Sequence, residues 1–162
     1  MTGTWSAAAD LCVPQDVARL LAGLPEWFGI PAATAEYVDD ATRLETWTVR
    51  NHDSRVVGVA LVARHFPHVA EIHLMAVDRA LRGRGIGRAL VDALVEDSRG
   101  RGVLLLEVKT LAASHPDVGY AQTRLFYEAV GFLPLEVTDL WGEDSPCLIM
   151  VRPLVPPPSA AA

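Results

Sequence analysis

Apolar residues divide the chain into short elements whose period alternates. Between Val13 and Leu24 they fall at Val17, Leu20, Leu21 and Leu24, the rhythm of one helical face, and Pro25 stops the segment. Trp27-Phe28-Gly29-Ile30 is an aromatic connector, and Pro31 suits the first turn of a second short helix reaching about Ala41. The period then shortens. Thr46–Arg50 and Val56–Arg64 read as strands about the Asn51-His52-Asp53-Ser54 turn, and Glu71–Val77 as another after the His65–Val69 loop. Helical spacing returns from Gly85 to about Arg99 and ends at Gly100 and Gly102; the apolar run Val103–Val108 then reads as a central buried strand. Strand, helix and strand between 71 and 108 make a crossover unit, which predicts that the two strands run parallel. A long loop, Thr110–Gly119, leads to a helix over Tyr120–Val130 and to closing strands at Leu133–Thr138 and Cys147–Val151. Residues 1–12 carry little pattern and read as a weakly ordered N-terminus or a weak first strand. The Pro/Ala tail, 154–162, is expected to be disordered. One domain over 13–153 results, of class α/β.

Composition narrows the class without naming a chemistry. With 51% apolar and 21% charged residues in 162, the chain can bury one sizeable core. No run approaches the roughly 20 apolar residues of a membrane span, and no basic region precedes an apolar one at the N-terminus, so neither membrane insertion nor a secretory leader is expected. Cys12 and Cys147 stand far apart without a motif, as free thiols in a cytoplasmic protein would. A net charge of −6 argues against general nucleic-acid binding. His65-x-x-His68 has a compact spacing but encloses Pro67, and no metal is expected.

Chemistry enters at Arg82-Gly83-Arg84-Gly85-Ile86-Gly87-Arg88. A glycine-rich turn between a strand and a helix leaves backbone N–H groups unpaired at a helix N-terminus, where the dipole favours an anion such as phosphate. Arg82, Arg84 and Arg88 add charge. An ordinary glycine turn is the alternative. Neither common nucleotide fingerprint fits: no Gly-x-Gly-x-x-Gly can be read, and Gly87 is followed by Arg88-Ala89 rather than Lys-Ser/Thr.

Arg82-x-x-Gly85-x-Gly87 resembles the Arg/Gln-x-x-Gly-x-Gly/Ala signature of the GNAT acetyltransferases. Upstream, Ala70 to Val77 is similar to that family's fourth strand; downstream, Tyr127-x-x-x-Gly131-Phe132 resembles its Tyr-x-x-x-Gly-Phe helix end. The resemblance covers about residues 35–153. It implies a GNAT fold: a mixed, mostly antiparallel sheet of six or seven strands, splayed between strands four and five, with about four helices. It also implies an acetyl-CoA-dependent N-acetyltransferase acting by direct attack in a ternary complex. Gly83, Gly85, Ile86, Gly87 and the arginines would hold the pyrophosphate. Backbone N–H groups of Met75, Ala76 and Val77 would meet the acetyl oxygen and the pantetheine.

Two side chains are candidates for proton transfer. Glu71, an ionisable residue in an apolar strand, stands where the histone-acetyltransferase branch has its base, and burial would raise its pKa toward the working pH. The alternative is a strand-end carboxylate reaching solvent. Tyr127 sits four residues before Gly131, the place of the family's acid, and a phenol could return a proton to the departing sulfur; otherwise it is an aromatic packed on the sheet. His73 shares a strand face with Glu71 unless a bulge intervenes, and could relay a proton or be a hydrogen-bonded core residue. Many relatives carry Asn near the end of strand five, where this chain has Lys109-Thr110.

The acceptor is expected among Trp27-Phe28, Tyr37, the Pro116 loop and Trp141, with Glu26, Glu36, Asp39 and Asp40 framing a cationic amine. A small-molecule amine is the first reading, a protein N-terminus or lysine the second, and a homodimer is an open expectation for assembly. A non-catalytic acyl-CoA-binding module would keep the glycine loop and dispense with Glu71 and Tyr127; this chain has both.

Overall fold

The computed structural model describes residues 4–154, so the tail from 155 onward lies outside the described residues. The order is β1 (Ala7–Asp10), α1 (Pro14–Ala22), α2 (Pro31–Asp40), β2 (Glu45–Arg50), β3 (Val56–Phe66), β4 (Val69–Val77), a 3-10 turn (Arg79–Leu81), α3 (Ile86–Gly100), β5 (Leu105–Leu111), α4 (Val118–Ala129), β6 (Leu133–Thr138) and β7 (Cys147–Pro153). The strands form a seven-stranded sheet in the order β1-β2-β3-β4-β5-β7-β6, in which only the β4–β5 pairing is parallel. Seven strands with one parallel pair, and four helices, agree with what the resemblance implies.

The sheet separates two apolar cores. Leu90, Leu94, Leu106, Met150 and Phe132 fill the one beneath α3 and α4; Val17, Leu20, Leu21, Leu61 and Leu74 fill the one beneath α1 and α2. Strand β3 contributes to both, which is why Val56 to Ala63 is buried without alternation. Gly58 on β3 permits the close seating of α3: a Cβ there would lie 2.4 Å from Ile86 Cγ2. That contact fixes the start of α3, and with it the glycine loop, against the sheet.

Several boundaries differ from the sequence reading. The pattern-poor N-terminus contains β1, an edge strand held by pairing with β2 and by Asp10, which accepts from Thr48 Oγ1 at 2.6 Å and from Arg50. Strand β5 starts at Leu105 and runs on to Leu111, because β7 supplies partners for Lys109, Thr110 and Leu111 after β4 has left. Its first residue is not buried, Leu105 being 36% exposed. Only 112–117 then remain as loop, since Asp117 caps α4 two residues early by accepting from Tyr120 N at 3.0 Å. Leu154, assigned to the tail, is buried and donates its N–H to Leu104 O.

Candidate active site

The site begins where β4 parts from β5. Their parallel pairing covers Val69 to Ile72 against Leu105 to Val108 and stops there. At the same point the β3–β4 register slips: Leu61 faces Leu74 and Val62 faces Ile72, so His73 is an extra, unpaired residue. This bulge, invisible in sequence, turns the strand. Ile72 packs under α3, whereas Leu74 and Ala76 pack under α1 and α2. Beyond Ile72 the β5-facing edge of β4 is unpaired, so alternate N–H groups across Met75, Ala76 and Val77 face the cleft.

The cleft is a cavity of about 500 Å³. At one end lies the glycine loop. Gly83 and Gly85 have φ of 74° and 90°, a region that side chains disfavour, and nothing lies within 4 Å of a Cβ placed on either. Gly85 caps α3 without a side-chain bond, and the first helical bond runs from Ala89 N to Gly85 O. The N–H groups of Ile86, Gly87 and Arg88 therefore have no helical partner. Gly87 serves packing as well, because a Cβ there would come 3.0 Å from Phe126 Cζ. Arg82 and Arg88 line the cavity, and Arg84 is exposed outside it. The Arg82 guanidinium lies 4.1 Å from the centre of the Trp27 ring.

Tyr127 lines the cavity from α4, its ring next to those of Phe126 and Phe132, with centroids 5.3 and 5.5 Å away. Burial raises its pKa well above that of a free phenol. Tyr120 also lines the cavity, but its hydroxyl donates to Trp27 O at 3.1 Å, and burial pushes its pKa up to about 12.

Glu71 departs from the sequence reading in place and in charge. It is buried behind the cavity and does not line it. Its Oε1 accepts from Lys109 Nζ at 2.8 Å, and its Oε2 lies 2.8 Å from His65 Nε2. His73, with Nδ1 at 3.9 Å from Oε1, makes a charge contact beyond hydrogen-bonding range. His73, Lys109 and His65 together hold the carboxyl far below its ordinary 4.5. The expected upward shift is thus reversed: burial does act that way, but three cationic or polar partners outweigh it.

The partners of Glu71 reach the cavity in its place. Lys109, 2.8 Å from both Glu71 Oε1 and Glu107 Oε1, lines it, as does His73, whose Nε2 is 2.7 Å from Asp40 Oδ2. Glu71 and Asp40 raise the His73 pKa above 6.5. The Asp40–His73 pair has no local signal, being 33 residues apart. Thr110 also lines the cavity, with its buried hydroxyl unpartnered among the described residues.

Of the segments expected to meet the acceptor, Trp27, Phe28, Tyr37 and Trp141 line the cavity. The expected frame of carboxylates does not: Glu26 pairs with Arg79, Asp40 with His73 and Arg43, and Glu36 and Asp39 are exposed on α2. The Pro116 loop stays outside it too. Among the described residues no cluster of three His, Cys, Asp or Glu could hold a metal, and no helix is long and apolar enough to cross a membrane.

The sequence profile of the acetyltransferase (GNAT) family matches residues 16–132. The N-alpha-acetyltransferase RimI of Mycobacterium tuberculosis is 37% identical over 81 residues, 46% of this chain and 51% of that protein. Mycothiol acetyltransferase of Beutenbergia cavernae is 36% identical over 72 residues, 44% of this chain and 22% of that protein. The chain spans about half the length, or less, of the curated relatives it matches. Among solved structures, an aminoglycoside 6'-N-acetyltransferase complexed with coenzyme A superposes with a TM-score of 0.72 at 18% identity, covering 94% of this chain and 99% of that one. The ribosomal-protein-S18-alanine N-acetyltransferase of Escherichia coli gives 0.69 at 17% identity, covering 96% and 99%. At such identities these two show a shared fold.

Proposed function

The chain belongs to the acetyltransferase (GNAT) family, and from that premise we propose that it moves an acetyl group from acetyl-CoA to the primary amine of a small molecule, in a ternary complex. One observation carries the reading: a single cavity joins a glycine-capped helix start, with no side chain on its free N–H groups, to Tyr127 and to an aromatic acceptor end. The loop suits a pyrophosphate: the N–H groups of Ile86, Gly87 and Arg88 converge where Gly83 and Gly85 leave the approach open, and Arg82 and Arg88 supply charge.

The amine nitrogen bonds to the acetyl carbon and the carbon–sulfur bond breaks. Free N–H groups on the Met75–Val77 edge suit the charge that develops on the carbonyl oxygen. Tyr127 gives its proton to the departing sulfur and recovers one from the new amide nitrogen, so a neutral amine consumes no base overall. Glu71 then acts as a positioning residue, holding Lys109 and His73 at the cavity wall. No cysteine lines the cavity, which favours direct attack over an acyl-enzyme.

Calorimetry with acetyl-CoA, followed by thiol release across an amine panel, tests this. Binding with amine-dependent thiol release is expected. Binding without release from any amine would leave a non-catalytic acyl-CoA module, and no binding by folded protein would end the reading.

A further inference from the structure

The charges at the acceptor end restrict which amine fits; this inference rests on the acetyltransferase reading above. No carboxylate lines the cavity. Three acidic groups beside that end are engaged by its cations: Glu71 and Glu107 each lie 2.8 Å from Lys109 Nζ, and Asp40 lies 2.7 Å from His73 Nε2. What the cavity meets is therefore the cationic partner of each pair. An ammonium has three N–H donors, and the two glutamates take two of the three on Lys109. The third is available to a ligand, because Lys109 itself lines the cavity.

The remaining wall is aromatic. Phe28 meets Tyr37 edge-on at 5.8 Å, Tyr37 meets His73 at 5.5 Å, and Trp27, Tyr120 and Trp141 complete it. Aromatic faces alone would also suit a cation. Here Arg82 already covers Trp27 and His73 meets Tyr37 edge-on, so an incoming polycation finds these aromatic faces already partnered. A carboxylate instead completes the donor set of Lys109 through a charge-assisted bond. The same lysine favours the neutral form of an amine placed next to it, which is the nucleophilic form.

We propose that the acceptor is an aromatic α-amino acid: its carboxylate is held by Lys109, its ring by the Phe28–Tyr37–Trp141 wall, and its amine delivered to the β4–β5 cleft. The reaction balances as above. The nitrogen–carbonyl bond forms, the carbon–sulfur bond breaks, and the amine's proton ends on the thiol by way of Tyr127.

The test is thiol release by the full chain with acetyl-CoA and three kinds of amine: phenylalanine and tryptophan, their decarboxylated counterparts phenethylamine and tryptamine, and the polycations spermidine and kanamycin. The amino acids are expected to exceed the decarboxylated amines in kcat/KM by about tenfold or more, as a charge-assisted bond would give. Polycations should be poorest. In Lys109→Met the ratio of amino acid to decarboxylated amine should fall to near one, and Lys109→Arg should restore much of it. Wild-type selectivity tests the proposal even if Lys109→Met does not fold. Equal rates with and without the carboxylate, or faster polycations, would overturn it. So would acetyl-CoA binding with no turnover of any aryl amine, which leaves the cofactor reading standing; loss of acetyl-CoA binding removes both.

Discussion

A phenol packed against Phe126 and Phe132 holds its proton firmly, because burial penalises the phenolate. Such a group suits a thiolate that needs a proton only at the moment of departure. Tyr127→Phe removes one hydroxyl and leaves the packing. It should bind acetyl-CoA normally and turn over slowly, and the loss should shrink with acyl donors whose thiols are more acidic. A mutant-to-wild-type rate ratio that stays flat across the donor series would end the acid assignment. Glu71 makes the opposite case. Its oxygens are taken by Lys109 and His65, and it is already ionised at any working pH. Glu71→Gln should therefore cost stability, about 1–3 kcal/mol from the weakened hydrogen bond to Lys109, while the pH dependence of kcat/KM keeps its shape. Disappearance of one limb of that profile in the mutant would return the base role to Glu71.

At the scale of elements, α3 and its preceding loop are legible because period and glycine spacing are local properties. The strand that feeds them is legible only to Ile72. The His73 bulge is set by the register between β3 and β4, and the splay by β4 leaving β5 at Ile72 while β7, on the other edge of β5, pairs on to Leu111; neither leaves a mark within ten residues of sequence. Ala7–Asp10 lacks an alternating pattern because an edge strand of alanines buries little, so β2 and the Asp10 contacts define it. Glu71 is legible as a buried acid, but the direction of its pKa shift depends on how the fold turns His65 and His73, both near in sequence, and Lys109, 38 residues on, toward its oxygens. Trp27 likewise gains its meaning from α4 and the glycine loop: Nε1 donates to Thr123 Oγ1 at 3.2 Å while Arg82 stacks on the ring. That stacking should position Arg82 for phosphate. Trp27→Leu should weaken acetyl-CoA binding several-fold, the size of one cation–π contact, and leave the affinity for acetyl-pantetheine, which has no pyrophosphate, nearly unchanged. Equal losses for both ligands would reduce Trp27 to a packing role.

Over the whole molecule, two ionic networks brace the sheet. Glu45, Arg64, Asp97 and Arg101 tie β2 and β3 to α3; Asp40, His73, Glu71, Lys109 and Glu107 tie α2 to β4 and β5. They set a pH window for stability. Hydrogen bonding from Arg64 holds Glu45 down at about 2, and Glu71 lies lower still. Both carboxylates stabilise the fold above their unfolded value near 4.5, and this contribution drains as the pH falls toward the folded values. His73 behaves inversely. Glu71 and Asp40 raise it above 6.5, so its contribution is complete below that pH and is lost as the pH climbs through the folded value. Thermal stability should therefore peak between about pH 4.5 and 6.5 and decline on both sides. Melting curves from pH 3 to 9 on wild type, Glu45→Gln and His73→Gln separate the two limbs. Glu45→Gln should flatten the acid limb and keep the alkaline one. His73→Gln should flatten the limb above pH 6.5 and keep the acid decline that Glu45 supplies. A His73→Gln protein that still loses stability above pH 6.5 as steeply as wild type would place the alkaline limb elsewhere, and His73 would then not carry a charge between Asp40 and Glu71.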